Sequence, residues 1–128
     1  MDRDLTSDER DVLYAFLDAM DADGFPGAAE YRAQAATARV TGMCGCGCPS
    51  PDFSVDESLP LAPKALKGIF PISACFDANP GEERGSEVLL WQMNGRIHSL
   101  EHVSFEDPIT QTFPPLTALS EPITIDRK

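Results

Sequence analysis

Between Leu5 and Met20 the apolar residues fall three and four apart. Val12, Leu13, Phe16, Leu17 and Met20 share one side of a helix, and Asp8, Asp11 and Asp18 take the other. The element has a defined start. Thr6-Ser-Asp-Glu9 reads as a capping box, in which the threonine hydroxyl accepts from the third N–H and the glutamate reaches back to the cap N–H. Asp23-Gly-Phe-Pro-Gly27 ends it, because glycine and proline break the helical pattern. A second, shorter helix is predicted from Ala28 to Ala36, rich in alanine, with Tyr31 as its large contact.

From Thr37 onward the period shortens to two. The runs Ala38–Met43, Asp52–Asp56, Gly68–Asp77, Glu87–Met93 and Arg96–Phe105 are rich in β-branched or aromatic residues and bounded by Gly, Pro, Asn and Asp, which predicts strands. The clearest pair is EVLLWQM and RIHSLEHVSF, joined by Asn94-Gly95, a pairing suited to the two positive φ angles of a type I′ turn. Strict alternation puts Met93 opposite Arg96, Trp91 opposite His98, Leu89 opposite Leu100 and Glu87 opposite His102 on one side. Gln92 with Ile97, Leu90 with Ser99 and Val88 with Glu101 then fill the other. Both sides are partly apolar, so the pattern does not choose the side that helices cover. An open side would present Ile97, Leu90 and Val103, or Trp91 and Leu100, as a patch suited to a homodimer.

Residues 57–67 form a proline-containing crossing and residues 78–86 a polar turn. Beyond Asp107 stand four of the eleven prolines, which exclude a long regular helix. Ile123-Thr-Ile125 suits a short edge strand, with Phe113 and Leu116 as anchors for the rest. The expected fold is α+β: two N-terminal helices packed on an antiparallel sheet of about five short strands. Residues 1–107 make one domain, and residues 108–128 a Pro-rich extension packed on its surface or partly disordered.

Charge narrows the partners. The 128 residues carry 21 acidic and 10 basic side chains, a net charge of −11, and no Lys/Arg cluster offers a phosphate-binding stripe. Nucleic acid and anionic membranes are therefore excluded as expected partners. A basic protein is the favoured charged ligand, and solubility is the plainer use of the same acidity. The acidic start MDRDLTSDERD is not a secretory signal, and no run approaches about 20 apolar residues. A cytoplasmic location follows as an expectation. Thiols there stay reduced, which directs the four cysteines toward metal binding, redox chemistry or packing and away from a disulfide framework.

Three of those cysteines, Cys44, Cys46 and Cys48, alternate with Gly45 and Gly47 ahead of Pro49-Ser-Pro51. In an ideal strand neighbouring members lie about 6.6 Å apart at Cα and do not converge on one ion. The glycines permit a curled backbone that could bring the thiolates inward, with Cys75, His98 or His102 as fourth ligand of a tetrahedral Zn²⁺. The spacing differs from the paired C-x₂₋₄-C of structural zinc sites. A Cys-Gly-Cys pair could instead cycle between dithiol and disulfide, although Arg39 is the nearest cation to lower a thiol pKa. The plainest alternative is close packing, with cysteine as a small hydrophobe. His98 and His102, about 13 Å apart along a strand, cannot chelate one ion together. Asp21, Asp23, Gly24 and Glu30 match part of a calcium loop, but Ala19 and Pro26 occupy its first and eighth positions, so a helix end and turn is preferred. No nucleophile elbow, phosphate loop or carboxylate pair stands out.

Phe25-Pro26-Gly27 leading into Tyr31-Arg32-Ala33-Gln34, the segment VTGMCGCGCPS at 40–50, and VLLWQMNGRIHSLEHVSFED at 88–107 resemble a group of small proteins of high-GC Gram-positive bacteria that form a domain of unknown function. The resemblance covers residues 5–107 and implies no activity or catalytic residue. Three functions stay in view: a non-enzymatic protein-binding module of the immunity or antitoxin kind, a zinc-binding domain through Cys44, Cys46, Cys48 and Cys75, and a thiol redox protein.

Overall fold

A computed structural model describes residues 2–25, 27–43, 50–62, 69–77, 85–104, 113–119 and 123–125. Helix α1 (Ser7–Ala22) begins at the predicted capping box: Thr6 Oγ1 accepts from the Glu9 N–H at 3.2 Å, and Glu9 Oε1 accepts from the Thr6 N–H at 2.9 Å. Its buried face is Glu9, Val12, Leu13, Phe16, Leu17 and Met20. Helix α2 (Ala28–Ala35) buries Ala28, Tyr31, Gln34 and Ala35. Burial, and then the charge of Glu30, push the Tyr31 phenol up to about 12, so it packs as a neutral ring.

The remaining elements build an antiparallel sheet. They are β1 (Arg39–Met43), β2 (Pro51–Ser54), β3 (Ile69–Asp77), β4 (Gly85–Met93), β5 (Arg96–Ser104) and β6 (Thr124–Ile125), in the spatial order β1-β2-β5-β4-β3-β6. The fold is α+β, with the helices N-terminal as expected. The sixth strand is the short edge strand suggested by Ile123-Thr-Ile125, and it pairs with β3. At the opposite edge Arg3 exchanges two backbone hydrogen bonds with Val40, at 3.0 and 2.8 Å, and so occupies part of the outer side of β1. No helix among the described residues is long and apolar enough to cross a membrane.

The β4–β5 hairpin turns at Asn94 (φ 53°) and Gly95 (φ 83°), as the Asn-Gly pair predicts. Its register holds for two pairs, Met93 with Arg96 and Gln92 with Ile97, and then departs from strict alternation. Trp91 lies opposite Ser99, Leu90 opposite Leu100, Leu89 opposite Glu101, Val88 opposite His102 and Glu87 opposite Val103. His98 is the extra residue of a β-bulge. One inserted residue moves every later side chain of β5 to the other face, which is why the expected Trp91–His98, Leu89–Leu100 and Glu87–His102 pairs do not form.

The bulge sorts the two faces cleanly. On the helix side stand Ala74, Val88, Leu90, Gln92, Ile97, Leu100 and His102, all of them buried. With Val40, Phe53, Leu5, Phe113 and the apolar stripes of both helices they form the core. Gln34 of α2 reaches the hairpin turn: its Nε2 donates to Gly95 O at 2.9 Å and Pro60 O at 3.2 Å, and its Oε1 accepts from the Ile97 N–H at 2.9 Å. Phe113, from beyond the sheet's long strands, lies with its ring centroid 6.3 Å from that of His102.

Candidate functional site

The other face of the sheet carries the chemistry. From β4 it receives Glu87, Leu89 and Trp91, half-buried, and Met93, which is exposed. From β5 come Ser99, Glu101 and Val103, from β3 Cys75 and from β2 Asp52. Neither of the apolar patches expected from strict alternation exists, because Ile97, Leu90 and Leu100 are sealed under the helices. The bulge gathers Trp91, Leu89 and Val103 outside instead.

Across four strands the register sets Trp91 opposite Ser99, Ser99 opposite Asp52 and Asp52 opposite Gly42. The indole Nε1–H of Trp91 donates to Glu101 Oε2 at 2.5 Å, a diagonal contact to the residue opposite Leu89. A charged acceptor on an indole N–H fixes the ring's tilt. Asp52, Glu87 and Glu101 give the face a negative field. Arg96 stands at its hairpin end, and Arg39 at its β1 corner is held by Asp2 at 2.5 Å and Asp4 at 2.7 Å.

The two histidines are separated. His98, at the bulge, is exposed. His102 is buried on the helix side, and its backbone N–H donates to Ser50 Oγ at 2.8 Å, extending the β2–β5 pairing beyond Asp52 and Ser99. Glu87, expected beside His102, faces Val103 instead.

Cys44, Cys46 and Cys48 lie outside the described residues, between Met43 at the end of β1 and Ser50 before β2. Cys75 is half-buried on β3, opposite Glu87. The strand order places β5 and β4 between β2 and β3, so Cys75 stands three strand spacings, about 14 Å, from the line of Ser50, whereas His102 is one spacing away. Among the described residues no group of three or more His, Cys, Asp or Glu side chains is placed to hold a metal ion.

Asp52 and Ser99 were not distinguished by the sequence pattern. Their place beside Trp91 depends on the bulge and on which non-consecutive strands pair, neither of which leaves a local signal. Comparison of the chain with protein-family models, with curated proteins and with solved structures finds no match.

Proposed function

We propose that the protein is a non-enzymatic, cytoplasmic binding module that takes a basic protein segment on the outer face of its sheet, in the manner of an immunity or antitoxin protein. One observation carries this reading. The chain's one tryptophan lies half-buried with its indole N–H on Glu101, in the same row as Ser99 and Asp52, on the face of the sheet opposite the helices. Aromatic residues rimmed by charge are the usual anchors of protein interfaces, and a net charge of −11 selects a cationic partner.

The test is a peptide array graded in charge, probed with the whole protein at low and high salt. Basic peptides should be retained at low salt and released at high salt, and Leu89→Arg, which sets a cation on the face, should abolish retention. Equal retention of acidic and basic peptides overturns the reading.

The contact between Ser50 and His102 favours a second reading, zinc held by Cys44, Cys46 and Cys48. Through it the backbone of His102 lies nearer than that of Cys75 to Ser50, the residue that closes the cysteine segment in sequence. Elemental analysis of protein purified without chelator, combined with a thiol count, decides it. About one zinc per chain supports the site, and a zinc content near zero removes it. Reversible loss of one thiol pair on mild oxidation would point to the redox alternative.

A further inference from the structure

We infer that Met43 is an oxidation site, and that Arg3 captures the sulfoxide oxygen and so tightens the N-terminal segment on the edge of the sheet. The arrangement lies at the β1 edge and does not depend on the outer face. Both terminal nitrogens of the Arg3 guanidinium are engaged: Nη1 donates to Asp4 O and to Glu9 Oε1, each at 2.9 Å, and Nη2 donates to Glu9 Oε2 at 3.0 Å and to Met43 Sδ at 3.8 Å. Three of these acceptors are carbonyl or carboxylate oxygens. The fourth is a thioether, a weak acceptor for a charged donor. Glu9 holds the guanidinium in place, because its own carboxylate is buried and bonded at the start of α1. The N–H aimed at the sulfur therefore has a fixed position and a poor partner.

Sulfoxide formation supplies a better one. A sulfur lone pair attacks one oxygen of a hydroperoxide, the O–O bond breaks, and water or an alcohol leaves; the sulfur gives up two electrons and the peroxide accepts them. The bonded oxygen is a strong acceptor, and between Sδ and Nη2 it closes the 3.8 Å separation to a charge-assisted hydrogen bond. The methionines differ in what the same oxidation does. Met93 is 54% exposed, so its sulfoxide meets water, whereas Met20 is fully buried among apolar side chains and shielded from peroxide. Met43 is half-buried at the rim of the core with a cation at its sulfur. Arg3 also exchanges two backbone hydrogen bonds with Val40, so a firmer hold on its side chain tightens the cover over the outer side of β1.

The experiment treats the full chain with hydrogen peroxide, restores its thiols with dithiothreitol, maps methionine sulfoxide by peptide mass spectrometry and follows hydrogen exchange at the Val40 amide, which donates to Arg3 O. Met93 should oxidise first and Met43 next, about tenfold faster than Met20. With Met43 oxidised, exchange at Val40 should slow about threefold. Met43→Leu, which removes the thioether and keeps the cysteines, should show no change after the same treatment, and Arg3→Leu should lose the slowing. Met43 oxidising no faster than Met20 overturns the site. Unchanged or faster exchange at Val40 once Met43 is oxidised overturns the capture, and so does equal slowing in either variant. If Arg3→Leu does not fold, the comparison with Met43→Leu decides alone.

Discussion

At the tip of the β4–β5 hairpin, Gln34 satisfies backbone groups that no neighbouring strand reaches. It is 1% exposed, accepts from Ile97 N–H at 2.9 Å and donates to Gly95 O at 2.9 Å, so one side chain ties α2 to the turn. Gln34→Leu keeps the volume and leaves the Ile97 N–H without its partner, while Gly95 O still accepts from the Ala62 N–H at 3.1 Å; the change should cost about 1–3 kcal/mol, measured as a lower urea midpoint at unchanged slope. Glu9 makes a comparable junction. Burial acts first and upward on its carboxyl pKa, but two hydrogen bonds from Arg3 at 2.9 and 3.0 Å, with those of Thr6, outweigh it and hold the group below its ordinary value. A carboxyl lowered on folding stabilises fully above its unfolded value of about 4.3 and ceases to do so as the pH falls through the lower folded value. Glu9→Gln should therefore cost about 1–2 kcal/mol at neutral pH, toward the low end because solvent screens the Arg3 head. The gap between variant and wild type should narrow below pH 4 or so and close in stronger acid; a gap independent of pH would exclude the ion pair as its source.

Elements behave according to whether one rule or several fix them. The capping box, the apolar stripe of α1 and the Asn94-Gly95 turn were legible in the sequence because each is a local pattern with a single physical cause. The faces of β5 were not, since an alternating code carries no mark for an inserted residue, and Ile97, His98 and Ser99 offer three places to put it. That one ambiguity concealed the site, because Trp91 falls in the row of Ser99 and Asp52 only after the bulge is placed. The cysteine segment is a different case: its sequence pattern was conspicuous, but chelation depends on the fold bringing a fourth ligand near, and chain order says nothing of His102 lying beside Ser50. The bulge gives a direct prediction. Deleting His98 restores regular alternation with Ile97 and Leu100 still inward, so the shortened chain should fold cooperatively with an unchanged near-ultraviolet spectrum from Trp91. Deleting Leu89, where no extra residue exists, turns Val88 outward and should unfold the hairpin. Turn glycines should separate in the same way. Gly95→Ala meets both a φ of +83° and Ala62 backbone atoms at 3.1 Å, and should cost about 2 kcal/mol or more. Gly24→Ala, with a φ of +71° and open space around it, should cost about 1 kcal/mol.

For the molecule as a whole, the same charge has opposite consequences for folding and for binding. The chain's 21 acidic and 10 basic residues leave an excess that repels itself in the compact state. The ion pairs Arg32–Asp18, Arg39–Asp2 and Arg39–Asp4 are exposed, so each returns little to set against that repulsion. Salt screens charges over about 10 Å at 0.1 M, weakening the diffuse repulsion among many acids more than it harms these few contacts. Adding sodium chloride from a few millimolar to about 0.2 M should thus raise the Tm of the free protein at neutral pH. The same addition should weaken capture of an arginine-rich peptide, whose approach depends on the unscreened field of Asp52, Glu87 and Glu101. Thermal melts and peptide titrations across one salt series test both signs together. Opposite slopes locate the surplus acidity in partner recognition at the expense of the fold, whereas a salt-insensitive affinity beside a rising Tm would show that the acids serve solubility alone and that the outer face binds, if at all, through Leu89, Trp91 and Val103.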